Sequence, residues 1–205
     1  MSSTTPAGLA APATFPIAPV TARPAPRVLT ERQAEIVGAA GVVLEAEGPE
    51  AVTMRRLAEE IGIKAPSIYK HLSCKADVLG LMVEGALFEM GDAGHEAVHD
   101  LAPGPAVAPL LAAYRRVATA SPHHYRLVTG PHYDRAGLLP GLEDWAGESC
   151  YRATGEPHLA QALWSFAHGT VILEIDQRFS DARGLDRTWA AGATAFASAV
   201  GAVRA

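Results

Sequence analysis

The chain has 205 residues, of which 49% are hydrophobic and 19% charged, and its formal net charge is −5. This length allows one or two domains with an ordinary core, and its apolar stretches are shorter than the roughly 18–20 residues of a membrane helix. Two cysteines, Cys74 and Cys150, cannot form a disulfide scaffold, which predicts a cytoplasmic protein. The acidic balance disfavours nucleic-acid binding over the whole surface but permits a small basic patch.

Residues 1–27 are predicted to form a disordered arm. Prolines recur through this segment, and it has no periodic apolar face that could be buried. It also lacks the basic start and compact apolar block of a secretory signal. Arg23, with Arg27 at the end of the arm, leaves two alternatives open. One is an arm that places an arginine in the minor groove of DNA, and the other is a leader without a role.

Helical signals begin at Thr30, which is predicted to cap a helix that opens with Glu31. An apolar stripe follows at spacings of three and four residues, and it consists of Ile36, Ala40, Val43 and Leu44. The pair Gly48-Pro49 ends this helix. Thr53 is predicted to cap a second, short helix that is stopped by Gly62.

A third short helix is predicted to open at Pro66, since proline suits the first turn of a helix. Ile68 and Leu72 would pack back onto the preceding helix. Ser73 is predicted to cap the next helix, which starts near Lys75. The glycines and prolines of residues 92–109 predict that this long helix ends near Met90 and that a loop follows.

Two short helices joined by a tight glycine-containing turn form a helix-turn-helix unit, and the second helix of such a unit enters the major groove of DNA. All three lysines of the chain fall within residues 64–75 of this region. The alternative is a solvated helix face that happens to carry lysines. The residues predicted to contact DNA bases or phosphates are Thr53, Arg55, Lys64, Ala65, Pro66, Ser67, Tyr69, Lys70, His71 and Lys75.

This region resembles the DNA-binding domain of the TetR family of bacterial transcription regulators. The resemblance covers about a quarter of the chain, from Thr30 to Met82, and includes the string AVTMRRLAEEIGIKAPSIYKHLSCKADVL. The positions that carry the family pattern are Thr53, Leu57, Ala58, Gly62, Ile63, Ile68, Tyr69, Leu72, Lys75, Val78 and Leu79. The family implies an all-α fold with an N-terminal three-helix helix-turn-helix domain and a C-terminal helical domain for ligand binding and dimerisation.

The second half of the chain is predicted to be helical, and the expected domains are residues 28–75 and 76–205. This half resembles one TetR subgroup through the stretch Leu163-Trp164-Ser165-Phe166-Ala167-His168-Gly169. An effector pocket is predicted to include Phe88, Tyr114, Tyr125, Trp145, Trp164 and His168. The last two helices, residues 157–179 and 185–203, imply a dimer four-helix bundle whose predicted interface includes Trp164, Trp189, Phe196 and Val200. A plain core role remains open for each of these aromatic residues.

Other chemistry receives weak support. His95 and His99 have the spacing of two ligands on one helix face, but no third ligand completes a metal site. Cys74 beside a helix start could be a redox sensor, and a passive thiol is the alternative. No motif of an enzyme is present, so we expect no catalytic site, metal or cofactor.

The sequence therefore predicts a homodimeric regulator that binds double-stranded operator DNA and a small apolar, aromatic or hydroxylated effector, with no membrane partner. Repression relieved by the effector is the expected mode. One alternative is a helical small-molecule-binding or enzyme-like protein that has lost DNA binding. The other is a protein–protein adaptor that uses the same helices.

Overall fold

The computed structural model describes residues 22–130, 133–181 and 184–203, so most of the predicted arm lies outside the described residues. Within these ranges the regular structure is helical and contains no strand, which confirms the predicted all-α class. The helices are α1 (Glu31–Glu47), α2 (Met54–Glu60), α3 (Ala65–Ile68), α4 (Lys75–Val98), α5 (Val107–Ala120), α6 (Pro122–Thr129), α7 (Leu142–Thr154), α8 (Pro157–Ile175) and α9 (Leu185–Val203). None of these helices is both long and apolar enough to cross a bilayer.

The ends of the first helices follow the predicted signals. Thr30 accepts a hydrogen bond from the backbone N–H of Gln33, whose side chain in turn accepts from the backbone N–H of Thr30. This reciprocal pair is a capping box. Gly48 ends α1, and the Thr53 side chain caps α2 through the backbone N–H of Arg56.

The start of α4 differs from the prediction. Cys74, not Ser73, occupies the N-cap position. The carboxylate of Asp77 accepts hydrogen bonds from the backbone N–H groups of Ser73 and Cys74, at 2.8 and 3.2 Å. Asp77, the third residue of α4, thus forms a capping box with Cys74, whose side chain takes the place that the Ser73 hydroxyl was predicted to take.

The predicted end of α4 near Met90 is wrong, because the helix continues to Val98. Gly91 and Gly94 lie inside the helix where another chain segment comes very close. A Cβ atom on Gly91 would lie 2.3 Å from the Trp145 ring, and one on Gly94 would lie 2.6 Å from the Ser149 hydroxyl oxygen. These glycines allow α7 to pack closely against α4, so they are packing positions and not helix breakers.

Two apolar clusters form the core. The first begins with the inward faces of α1–α3 and continues through the first half of α4 to Leu127 of α6 and Trp145 of α7. The second joins α5, α7, α8 and α9 around Leu163 and Trp189. Because the first cluster runs across the expected boundary at residues 75 and 76, α4 is a packed connection between the helix-turn-helix unit and the remaining helices.

Candidate nucleic-acid interface and internal cavity

The α2–α3 pair has the geometry of a helix-turn-helix unit. Gly62 has a φ of +70°, a left-handed conformation that favours glycine, and the next residue donates its backbone N–H to the Ala58 carbonyl at 2.9 Å. Ile68 of α3 is fully buried against Leu57 and Ala58 of α2. This apolar contact fixes the direction of α3 and leaves its opposite side open.

The predicted base-contacting residues lie on and around that open side. Lys64 is the N-cap of α3, and Lys70 follows its last turn; both side chains are exposed. Pro66 and His71 are also exposed, whereas Ala65 and Ser67 are half-buried. The structure therefore brings two lysines and several small or hydrogen-bonding residues to one surface, as a recognition helix requires.

The predicted phosphate-contacting residues flank this surface. Thr53 is exposed at the start of α2, and Tyr69 is 55% exposed at the end of α3. Arg55 pairs with Glu59 one turn later on α2. Lys75, at the start of α4, donates from Nζ to the Pro49 carbonyl at 3.3 Å. The Lys75 ammonium retains further donors for a phosphate.

Gln33 is a contact that the sequence reasoning missed. Its side-chain amide donates to the His71 carbonyl at 3.0 Å, so α1 holds the chain directly after α3. The same side chain accepts from Thr30 in the capping box. A glutamine at the third position of a capped helix was a signal for the cap, but its amide bond to the distant His71 carbonyl has no local sequence signal.

A cavity of about 380 Å³ lies between α4, α5, α6, α7 and α8. Its apolar lining includes Leu87, Leu110, Val117 and Val128. Hydrogen-bonding groups on its wall include Tyr114, Thr129, Ser149 and Gln161, while Arg135, Glu143 and Asp144 supply charge. A mostly apolar cavity with a few polar groups is typical of a small-molecule site.

A hydrogen-bonded chain leads from the cavity wall into α8. The hydroxyls of Tyr114 and Tyr125 lie 2.7 Å apart, and the Tyr125 hydroxyl lies 2.7 Å from Nδ1 of His168. Burial raises the pKa of Tyr114 and Tyr125, and burial lowers the pKa of His168. Near pH 7 both phenols are therefore protonated and the imidazole is neutral, so Tyr114 presents an uncharged group to the cavity.

The six predicted pocket residues divide between the cavity and the core. Tyr114 and Trp164 line the cavity. Tyr125 and His168 lie behind Tyr114 in the hydrogen-bonded chain. Phe88 and Trp145 are buried against each other with ring centroids 5.8 Å apart, and neither belongs to the cavity lining. The polar residues of α7 in the lining were not predicted, because a helical pattern does not show which face of the helix borders a cavity.

The four predicted interface residues have different surroundings. Trp164 is 36% exposed on α8, and Phe196 is half-buried. Trp189 and Val200 are 6% and 2% exposed, so both point into their own protomer. Beyond the exposed Asp186 and Arg187 of its first turn, the outward face of α9 carries small residues, which are Ala190, Ala191, Thr194, Ala195, Ser198, Gly201 and Ala202.

The histidines and cysteines singled out in the sequence have other contacts. Nε2 of His95 lies 2.9 Å from the Trp145 carbonyl, and the ring stacks on Trp145. His99 follows the end of α4 and pairs with Asp100. No group of three potential metal ligands occurs among the described side chains. Cys74 is exposed, whereas Cys150 is buried in the cavity wall and burial raises its pKa to about 12.

Comparisons with known proteins agree with this geometry. Residues 36–81 match the family model described as bacterial regulatory proteins, tetR family. An uncharacterised HTH-type transcriptional regulator of Mycobacterium tuberculosis is 28% identical, over 78% of this chain and 84% of that protein.

Solved structures share the fold. A protein with unknown function from Rhodococcus sp. RHA1 has a TM-score of 0.71 and 20% identity, over 83% of this chain and 95% of the other. A TetR variant from Acinetobacter baumannii AYE in complex with minocycline has a TM-score of 0.59 and 17% identity, over 87% and 99% of the two chains. Residues 36–81 therefore match the helix-turn-helix DNA-binding domain of the TetR family, and the chain is similar over most of its length to an HTH-type transcriptional regulator.

Proposed function

We propose that this regulator is a homodimeric repressor that leaves its operator when a small, mostly apolar effector occupies the cavity. The observation that carries the proposal is the connection made by α4. This helix starts directly after the recognition region, and Leu87, Met90 and Gly94 further along it line the cavity. An effector that changes the position of α4 therefore changes the position of α3.

The proposed DNA contacts follow from exposure and hydrogen-bonding capacity. Lys64 and Lys70 carry donors that reach O6 and N7 of guanine, and Ser67 pairs with several bases. Ala65 contacts a thymine methyl group, and Pro66 and His71 border the same surface. Phosphate contacts are assigned to Thr53, Arg55, Tyr69 and Lys75.

Dimerisation supplies the second recognition helix. Two such helices must lie about 34–36 Å apart to enter successive major grooves on one side of the duplex. The outward faces of α8 and α9 form the proposed interface, because α9 presents small residues that permit close helix packing there. An effector that favours another separation of the recognition helices lowers DNA affinity by its differential binding to the two states.

The effector class follows from the cavity lining. A ligand that fills a cavity of about 380 Å³ and contacts Leu87, Leu110 and Val117 must be largely apolar. Tyr114, Ser149 and Gln161 favour a ligand with at least one hydroxyl or carbonyl group. The complex of the A. baumannii protein with minocycline shows that a member of this fold binds a small molecule.

The decisive experiment is a binding-site selection from random and genomic DNA with the full chain, followed by sequencing of the retained fragments. We expect a palindromic site whose retention falls steeply as salt rises. Equal retention of all sequences, or no retention, would favour a helical small-molecule-binding protein that has lost DNA binding. Retention of proteins that survives nuclease would favour an adaptor.

A further inference from the structure

The segment before α1, residues 23–29, contacts the rest of the protein through two arginine side chains, Arg23 and Arg27. The Arg23 guanidinium donates to both carboxylate oxygens of Asp92 on α4, at 2.7 and 2.9 Å. The same guanidinium lies 4.6 Å from the Phe88 ring centroid and 5.5 Å from that of Trp145 on α7. Arg23 thus contacts α4 and α7 together through an ion pair and two cation–π contacts.

Arg27 contacts a buried carboxylate. Glu84 of α4 is 5% exposed, and its two oxygens lie 3.0 and 2.9 Å from Nε of Arg27. Glu84 also accepts the backbone N–H of Leu139 at 2.9 Å, while Nη2 of Arg27 donates to the Gly137 carbonyl at 2.9 Å. Arg27 and Glu84 therefore join three parts of the chain, namely the N-terminal segment, α4 and the loop that leads into α7.

These two helices are walls of the cavity. The cavity lining includes Leu87, Met90 and Gly94 of α4, and it includes Ala146, Gly147 and Ser149 of α7. Arg23 and Arg27 bridge α4 and the α7 side of the fold at residues that do not line the cavity. Because α4 starts directly after the recognition region, a bridge that holds α4 in place acts on the cavity and on the recognition helix.

We propose that residues 23–29 form a strap that fixes α4 relative to α7, and that Arg27 and Glu84 are positioning residues for the recognition helix. In this proposal Arg23 and Arg27 hold α4 against the α7 side of the protein and do not enter the minor groove of DNA. Asp92 lies 17 residues after Lys75 in the same helix, so at 1.5 Å per residue Arg23 is held about 25 Å along α4 from its DNA-side end.

The first test needs no DNA and measures hydrogen–deuterium exchange of the full chain as wild type and as Arg27→Met. Loss of Arg27 leaves buried Glu84, within the described parts of the chain, with the Leu139 N–H as its remaining hydrogen-bond donor. We expect amides of residues 137–145 to exchange about tenfold faster. Arg126→Met is the matched control, since it removes an ion pair between Arg126 and Asp176 at another place. A change confined to residues 24–30, with none at residues 137–145, would overturn the strap.

If Arg27→Met does not fold, a second variant tests the strap. Arg23→Met removes the more exposed anchor and keeps the Arg27–Glu84 pair. In that variant the amides near Asp92 and Trp145 are expected to exchange faster while the cap of α1 is unchanged. Identical exchange to wild type in these regions would count against the strap in the same way.

The second test depends on the proposed function and uses DNA fragments obtained by selection with the wild type. Arg27→Met is expected to weaken binding to every retained sequence by about fivefold or more, with the slope of log affinity against log salt unchanged, because Arg27 contacts no phosphate. A slope smaller by about one would identify Arg27 as a phosphate contact and overturn the strap. Unchanged affinity would overturn the positioning role. If wild type retains no DNA, the proposed function fails, and the exchange experiment still decides the strap.

Discussion

Lys70 and Lys75 differ in their surroundings, and this difference separates their proposed roles. Lys75 is partly buried at the start of α4, and its ammonium donates a hydrogen bond to the Pro49 carbonyl, which limits where the ammonium can lie. Lys70 is exposed after the last turn of α3, and within the part of the chain that the structure describes it pairs with no carboxylate. A fixed ammonium suits a phosphate, whereas a side chain beside the recognition helix reaches base edges.

We predict that Lys70→Ala relaxes the preference at one base position and costs about 1–3 kcal/mol of binding free energy there. Lys75→Ala is the matched control, and it should weaken binding to all sequences and lower the salt slope by about one. Binding-site selection with both variants is the measurement. If Lys70→Ala keeps every base preference of the wild type, Lys70 contacts phosphate and does not specify sequence.

Among the helices, α4 shows what the sequence predicts and what it does not. Local signals placed the ends of α1 and α2, because Thr30, Gly48 and Thr53 act on backbone groups only a few residues away. The end of α4 was predicted too early because Gly91 was taken as a helix breaker. A glycine is needed there because the Trp145 ring packs against it, and Trp145 is far away in the sequence. For the same reason, helical periodicity located α7 but not the face of it that lines the cavity.

The closeness of α4 and α7 gives a prediction about a matched pair of glycines. Gly91→Ala should lower the free energy of unfolding by about 1–3 kcal/mol or more, because the new methyl group overlaps the Trp145 ring. Gly85→Ala on the same helix has open space around its Cβ and should raise that free energy by about 0.5–1 kcal/mol. Urea unfolding of both variants measures the difference. Equal effects would show that α7 does not restrict Gly91.

The contact between α1 and α6 predicts a dependence on pH. Burial raises the pKa of Glu45, but the hydrogen bonds it accepts from His124 and from the backbone N–H of His123 outweigh burial, so the net pKa is lowered. A carboxyl whose pKa is lower in the folded state stabilises the fold above its unfolded pKa of about 4.3, and this contribution is lost as pH falls through the folded value.

Glu45→Gln should therefore reduce the free energy of unfolding at pH 7 and flatten its decline between about pH 5 and pH 3. Urea unfolding of wild type and variant across this range measures both effects. Glu35→Gln on the same helix is the control, since among the described residues the Glu35 carboxylate pairs with Arg32 alone, one turn earlier. If the free energy of unfolding has the same pH dependence in wild type and Glu45→Gln, Glu45 does not contribute to the loss of stability in acid.

At the scale of the whole molecule, the outward faces of α8 and α9 form the proposed dimer interface. Leu163, Ala167 and Val171 point into the protomer, which leaves the other side of α8 uncovered. Leu173 lies on that other side and is 44% exposed. The sequence could not separate the two faces of α8, since this helix is apolar on most of its circumference. Trp189 of α9 was predicted at the interface, but its ring is 6% exposed and packs against Phe166 of α8 in the same protomer.

We predict that Leu173→Glu converts the protein to a monomer, because two carboxylates would be buried at a two-fold interface without partners. An obligate interface of this kind buries on the order of 2,000 Å² or more, so wild type should sediment as a dimer at micromolar concentration. Leu101→Glu is the matched control, since Leu101 is 42% exposed in the turn after α4 and outside α8 and α9. Analytical ultracentrifugation of the three proteins distinguishes the outcomes, and a dimeric Leu173→Glu variant would place the interface elsewhere. The monomer should also bind operator DNA far more weakly, because only one recognition helix then meets the duplex.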